Sequence, residues 1–318
     1  MKVKNIIAIV CSDIHLSDKP PLSRSIEPDW YEAMARPLTQ LDEYAKLYKV
    51  PIICAGDIFD RWNSPPELIN FALQYIPEGM YCIPGQHDLP HHAYADIEKS
   101  AYWTLVKAGR INNIQAKRTL PRGVTFQPAN PIGKHLVLWG FPWGFPVEPI
   151  NRVLDIHNVA VVHSYIWTSG HGYKGAPKEK YCSKYFSRLK GCNTAIWGDN
   201  HSNFSATNDN TNIYNCGCLI PRKSDEKKQP PTIGLLKKDG SVQRVFLEHS
   251  EDKWLNEKEL TKILSSVIDL DGLIDDFRKL TSEKIDFVDL LRQVMRKTEI
   301  GKRTKEILKE LLEETYDK

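Results

Sequence analysis

The chain has 318 residues, 41% of them apolar and 26% charged, with a formal net charge of +3. This mixture excludes a largely disordered or collagen-like chain, and the length is ample for a buried core. No apolar run approaches the roughly 18 residues needed to span a bilayer, so no membrane partner is expected. Lys2 and Lys4 do precede an apolar stretch, Ile6 to Cys11. That stretch is too short for a signal-peptide core of roughly 7–15 residues and runs straight into Ser12-Asp13. It reads as a buried strand, and the expected location is cytoplasmic. The seven cysteines are odd in number and contain no Cys-x-x-Cys pair, as reduced structural thiols would.

In chain order, strands are expected at Ile6–Cys11, Ile52–Ala55, Met80–Ile83, Leu136–Trp139, Val159–Val162 and Thr194–Trp197. These runs are rich in Ile and Val and alternate little, as strands covered on both faces do. Helical patterns lie near Trp30–Tyr48, Pro65–Tyr75 and Asp96–Lys107, which together predict a layered α/β domain. Trp139, Phe141, Trp143 and Phe145 form an aromatic cluster, read as packing in preference to stacking on bases. From about 211 to 250 the pattern is turns and short strands with a polar loop at Arg222–Pro231, taken as a capping, substrate-side part of a catalytic domain spanning 1–250. Residues 251–318 read as a helical segment. Asn256 and Glu259 can form a capping box there, ahead of apolar stripes beginning at Leu260, Ile285 and Ile307. That segment either covers the catalytic domain or docks a partner. It carries 14 basic and 17 acidic side chains, against 29 and 23 in the first 250 residues. A mild positive excess on the catalytic part permits an anionic substrate without demanding one.

The residues directly after each strand are more telling. Asp13-Ile14-His15 comes after the first, Gly56-Asp57 after the second and Gly85-Gln86-His87-Asp88 after the third. His163 and Gly198-Asp199-Asn200-His201 succeed two later ones. Ligands gather at the carboxyl ends of strands in open α/β sheets, so these groups are expected to converge. Mixed nitrogen and oxygen donors without thiolate suit a dinuclear centre of Mn, Fe or Zn, with two ions roughly 3.5–4 Å apart.

In Asp13-Ile14-His15, Gly56-Asp57-Ile58-Phe59-Asp60, Gly85-Gln86-His87-Asp88, His163 and Gly198-Asp199-Asn200-His201, the chain resembles the calcineurin-like metallophosphoesterase superfamily. The resemblance covers about residues 1–250 and implies a layered β-sandwich flanked by helices. It implies two divalent ions, most readily Mn2+, with Zn2+, Fe2+ and Mg2+ left open. By that resemblance Asp13, His15, Asp57 and His201 hold the first ion, with Asp57 bridging to a second held by Gln86, His163 and Asp199. A metal-activated hydroxide would attack phosphorus. His87 takes the position of the proton donor to the leaving oxygen, and Asp88 would orient its imidazole or raise its pKa. Asp60 would hold a ligand in its tautomer. Arg61 is either a phosphate contact or half of a surface ion pair. Two positions depart from the pattern: Gln86 stands where the family has Asn, and Asp199 where it has His. Both keep a donor: Gln86 holds the amide oxygen one methylene further out, and Asp199 exchanges a nitrogen for a charged oxygen, which favours a hard cation such as Mn2+ at the second position.

Ser64-Pro65-Pro66 after the second motif, and the overall size, look most like DNA nucleases of the SbcD type. That likeness implies DNA as substrate in repair or recombination, an SbcC-like ATPase as partner, and a homodimer. Arg222 and His91 are then candidates to line the substrate cleft. The alternatives are a stand-alone phosphatase or nucleotide phosphodiesterase, and a catalytically silent scaffold.

Overall fold

Successive strand residues point to opposite faces, and here both faces are apolar. In the first strand Ala8 and Val10 enter one core while Ile9 and Cys11 enter another. Farther along, Leu136, Leu138, Val159 and Val161 face one way and Val137, Trp139, Ala160 and Val162 the other. The sequence therefore shows runs where a half-exposed sheet would show alternation. The structure is a computed structural model and describes residues 5–119, 125–126, 128–208, 210–256 and 258–259.

The strands are β1 (Ile6–Cys11), β2 (Ile52–Cys54), β3 (Met80–Cys82), β4 (Ile111–Asn113), β5 (Arg118–Thr119), β6 (Thr125–Phe126) and β7 (Asn130–Ile132). They continue as β8 (Leu136–Phe141), β9 (His157–His163), β10 (Thr194–Gly198), β11 (Phe204–Thr207), β12 (Asn212–Asn215), β13 (Thr232–Lys237) and β14 (Val242–Phe246). One mixed sheet has the order β14-β13-β1-β2-β3-β4 and the other β11-β12-β10-β9-β8-β7. β1 to β4 run parallel, as do β8, β9, β10 and β12, and the remaining strands of each sheet add antiparallel. β5 and β6 pair as a small separate ribbon. One apolar layer, with Val10, Ile53, Val161 and Ile196, lies between the sheets. The other face of the first sheet is covered by α1 (Trp30–Tyr48), α2 (Pro66–Tyr75) and α3 (Ala101–Lys107). The other face of the second buries Trp139 and Trp197 with Tyr185 and Leu189 of the 3-10 segment Cys182–Leu189.

α1 begins and ends where expected. Asp29 caps it by accepting from Glu32 N–H, and Lys49 closes it in the left-handed conformation. The helix expected over Asp96–Lys107 divides instead at Ser100, whose extended backbone and side-chain bond to Trp103 N–H start α3 afresh. The strands at 212–246 form no cap. β12 lies beside β10, and β13 lies between β1 and β14, because Ile213, Ile233 and Leu235 are needed to complete the apolar layers. The aromatic cluster is packing material at Trp139 and Phe141, both buried. All seven cysteines are free and buried.

The first compact unit closes at Leu255. Asn256 and Glu259 exchange side-chain to backbone hydrogen bonds of 2.8 and 3.3 Å, the reciprocal capping box. The helical stripes expected from Leu260 onward lie outside the described residues.

Residues 252–255 return to α1 and its approach through a buried ion cluster. The Arg24 guanidinium, 1% exposed, donates to Glu27, to Asp252 at 2.8 Å and to the Pro221 carbonyl at 3.0 Å. It lies 5.3 and 5.0 Å from the Trp30 and Trp254 ring centres. Removing the cation leaves two acids to Arg36 alone, which lies 2.8 Å from Asp252 and 3.7 Å from Glu27. Arg24→Ala is expected to cost about 3–5 kcal/mol of stability in urea unfolding, and a loss under about 1 kcal/mol would show the cluster to be solvated.

Candidate metal centre

The turns after β1 and β2 are zipped together by backbone hydrogen bonds. Asp13 N–H donates to the Gly56 carbonyl, and His15 N–H to the Asp57 carbonyl, both at 2.9 Å. The strand-end turns adopt unusual backbone. Asp13, His15, Asp57 and Asp199 have φ of 51°, 51°, 54° and 89°. Such conformations cost of order 1–3 kcal/mol each and persist where the surroundings over-determine them. All four sit at strand ends and all turn their side chains to one place.

At the first position, His15 Nε2 lies 3.2 Å from His201 Nε2, 3.7 Å from Asp57 Oδ2 and 3.9 Å from Asp13 Oδ1. His201 Nε2 is itself 3.9 Å from Asp13 Oδ1. Burial, followed by the neighbouring Arg222 cation, holds His15 well below the ordinary imidazole value, so it is neutral and can offer a lone pair. Burial also raises Asp13 to about 6, partly offset by His163 and His201.

The second position gathers Asp57, His163, Gln86 and Asp199. His163 Nδ1 donates to the Ala55 carbonyl at 2.5 Å, which turns Nε2 towards Asp57 Oδ2 at 3.3 Å. Burial acts to lower the His163 pKa, but the Asp57 carboxylate outweighs it and the net shift is well upward. The same pair takes Asp57 below its ordinary value despite burial. Gln86 Nε2 donates to Asp199 Oδ1 at 2.8 Å, so the two residues that depart from the family pattern bind each other. Asp13 also belongs here, with donor atoms of Asp13, Asp57 and His163 all within 4.8 Å of one another.

Asp57 Oδ2, His163 Nε2 and Gln86 Oε1 are buried without a well-formed hydrogen bond. Unpaired acceptors of this kind are costly unless a cation meets them. The donor set fits two divalent ions. Asp13, His15, Asp57 and His201 would hold one; Asp57, Gln86, His163 and Asp199 would hold the other. Space for them depends on glycine at two points. A Cβ at Gly85 would strike Asp57 Oδ1 and come within 2.6 Å of His163 Nε2, and one at Gly56 would strike the His163 ring.

The remaining expected residues divide. His87 N–H donates to Asp57 Oδ1 at 2.9 Å, and its Nδ1 donates to the Asp60 carbonyl at 2.8 Å. Any proton it exchanges with a substrate therefore passes through Nε2. Asp88 does not orient that imidazole. Its buried carboxylate accepts from Ile58, Phe59 and Gly85 N–H groups, tying the β2 turn to the β3 turn. Burial, then the Asp57 charge, raises it to about 8. Asp60 lies between two imidazoles, 3.7 Å from His15 Nδ1 and 4.0 Å from His87 Nδ1, and is held at 2.5 Å by Arg222. Arg222, expected to line the substrate cleft, is thus engaged with a carboxylate. Arg61 forms an exposed ion pair with Asp18, and His91 lies against the Trp62 ring.

Glu226 is a supporting residue that sequence reasoning misses. Its Oε1 accepts from His201 Nδ1 at 2.6 Å, and its Oε2 from the N–H groups of Arg222 and Lys223 at 2.6 and 3.0 Å. The bond to His201 leaves Nε2 free to face the first position. Burial works against its charge, but His201 and the two amides bring it to about 2. In sequence it is one acid in a lysine-rich polar loop, and no spacing marks it.

The profile of calcineurin-like phosphoesterases matches residues 8–203, which takes in every strand-end motif above. The chain belongs to this family. It is accordingly a metal-dependent phosphoesterase, and the family typically binds two divalent ions. No curated protein matches the chain. Among solved structures, a putative 5'-nucleotidase from Staphylococcus aureus is 15% identical with a TM-score of 0.47, covering 82% of this chain and 58% of its own. The calcineurin-like phosphoesterase YfkN from Bacillus subtilis is 11% identical at TM-score 0.41, covering 82% and 96%. An archaeal phosphodiesterase is 11% identical at 0.37, covering 76% and 99%. The chain therefore spans under two thirds of the staphylococcal protein. Among the described residues, no helix is long and apolar enough to cross a membrane.

Two substitutions test the centre. Glu226→Ala is expected to weaken Mn2+ binding 10–100-fold in calorimetric titration. Unchanged affinity would make the Glu226 contact incidental. Gly85→Ala is expected to lower bound metal from two equivalents towards one by elemental analysis, since its methyl group takes the space beside His163.

Proposed function

We propose that the chain is a phosphodiesterase that cleaves DNA, an SbcD-like nuclease of repair or recombination. The observation that carries the hydrolytic part is the convergence of buried, unpaired donors from Asp57, His163 and Gln86 on the strand ends that also present His15 and His201. Two divalent ions bound there would offset phosphate charge and make a water nucleophilic. The chain's own residues supply the rest. Asp57, fixed through Oδ1 by His87 N–H, turns Oδ2 inward. His87, held at Nδ1 by the Asp60 carbonyl, presents Nε2 as the site of proton transfer to the departing oxygen. Arg222 and Asp60 fix one side of the His15–His87 pair.

Mn2+ is the proposed occupant of the second position, because Asp199 brings a charged oxygen where a histidine nitrogen would favour zinc, and Gln86 keeps an amide oxygen. The DNA preference rests on the motif context around Asp57, and an SbcC-like ATPase and a second nuclease subunit belong to the same proposal. Electrostatics agree: a modest basic excess gives only a weak, salt-sensitive hold on DNA alone, which an ATPase partner would supplement.

The test is degradation of end-labelled single- and double-stranded DNA with Mn2+, beside His87→Ala. Cleavage that chelator abolishes and His87→Ala lowers by about 10²–10⁴-fold is the expected result. Turnover of mononucleotide esters with DNA left intact would replace the nuclease by a stand-alone phosphoesterase. Metal binding without turnover of either would leave a silent scaffold.

A further inference from the structure

Beside the candidate metal centre lies an open cleft of about 350 Å³ that Asp199 and His201 help to line. Whatever occupies it is continuous with a group held at those two residues. Two tyrosines, Tyr165 and Tyr173, line the cleft as well. Tyr165 and Tyr173 meet with ring centres 5.3 Å apart at 49°, and Tyr173 N–H donates to the Tyr165 hydroxyl. Tyr173 is 61% exposed, although it sits on a loop that is otherwise firmly anchored. Ser202, Lys223 and Gln229 line the cleft too, with the Gln229 amide donating to the Ser202 hydroxyl at 3.0 Å.

The anchoring is specific. Asn200, the residue between Asp199 and His201, gives its side-chain amide to the Ile166 carbonyl at 2.7 Å and the His171 carbonyl at 2.9 Å. The tyrosine loop is therefore bolted to the turn that carries two of the proposed metal ligands. Gly172 packs against the Trp167 ring so closely that a Cβ there would come within 2.8 Å of it, and the Trp167 indole N–H is fixed to the Pro177 carbonyl at 2.7 Å. An aromatic surface is held at a set place relative to Asp199 and His201, with Tyr173 open to solvent. Acidic groups also line the cleft, but Glu226 is engaged by His201, Asp199 by Gln86, and Asp225 by the Glu226 N–H.

We propose that this cleft is the nucleoside subsite of the enzyme, with the Tyr165–Tyr173 surface stacking the base next to the phosphate being cleaved. The inference rests on the phosphodiesterase reading given above and adds the substrate's recognition element. A base offers a flat π-face for the tyrosines and a polar edge for Ser202, Lys223 and Gln229, and it is tethered to phosphate at the right end. Stacking of this kind tolerates any sequence, as a general nuclease requires.

The experiment compares thymidine 5'-(p-nitrophenyl phosphate) with its abasic deoxyribose counterpart, using the full chain with Mn2+. The base is expected to raise kcat/KM about tenfold or more, as stacking on an aromatic group would. Tyr165→Ala/Tyr173→Ala is expected to bring that ratio close to one, and Tyr173→Phe, which keeps the ring, to retain it. Equal turnover of the two esters by the unaltered chain would overturn the subsite and leave the phosphodiesterase standing. A ratio unmoved by the double substitution would do the same. If the unaltered chain hydrolysed neither ester and left DNA intact, the phosphodiesterase reading would fall, and the subsite with it.

Discussion

The carboxylate of Asp57 is fully buried, carries a left-handed backbone, and is shared by every part of the site. One oxygen is taken by the His87 backbone, and the other faces both His15 and His163. Burial in a low-dielectric interior would ordinarily return such a group to its neutral form. Here the neighbouring His163 imidazole holds its pKa down, and it holds that of His163 up in return. Two divalent ions beside it would resolve the same conflict more fully, because they would also meet the unpaired Gln86 oxygen. The sheets, the turns and the surrounding loops can be understood as the means of holding that charge in place.

Clearance is the first of those means. Parallel strands bring their ends close, and the side chains that converge there leave no room for additional atoms at Gly56 or Gly85. Asp88 is the second. It spends its carboxylate on three backbone amides from two different turns, so the position of Gln86 and His87 is fixed relative to Asp57. The loop over residues 221–229 is the third, setting His201 through Glu226 and Asp60 through Arg222. These supports reach the site from separate parts of the chain, and each acts on a different donor.

Much of this is legible in the sequence, for a physical reason. Strands buried on both faces must be continuous apolar runs, and polar groups directly after them have nowhere to go but the common end. Asp13, His15, Asp57, His163 and His201 can be read that way, and the structure brings them together. The supporting residues cannot. Glu226 looks like any acid in a polar loop, and Asp88 looks like a partner for its neighbour His87 when its carboxylate faces the backbone instead. Their roles depend on a contact across 25 residues in one case and on side-chain direction in the other. β13 reads as part of a cap because an antiparallel insertion beside β1 leaves no local mark; only the completed hydrophobic layer shows why Leu235 and Leu236 belong there.

The buried thiols give the molecule an internal set of clocks. Cys11, Cys54 and Cys82 lie in register across three neighbouring strands of the first sheet. Cys182 and Cys192 sit in the outer core of the second, and Cys218 beside His201 and Glu226. A thiol reagent reaches each of them only when its own surroundings open. The order in which they react is thus a record of which sheet parts first and how firmly the 221–229 loop is closed over the centre. No label has to be introduced to read it, since the chain already carries one in each layer.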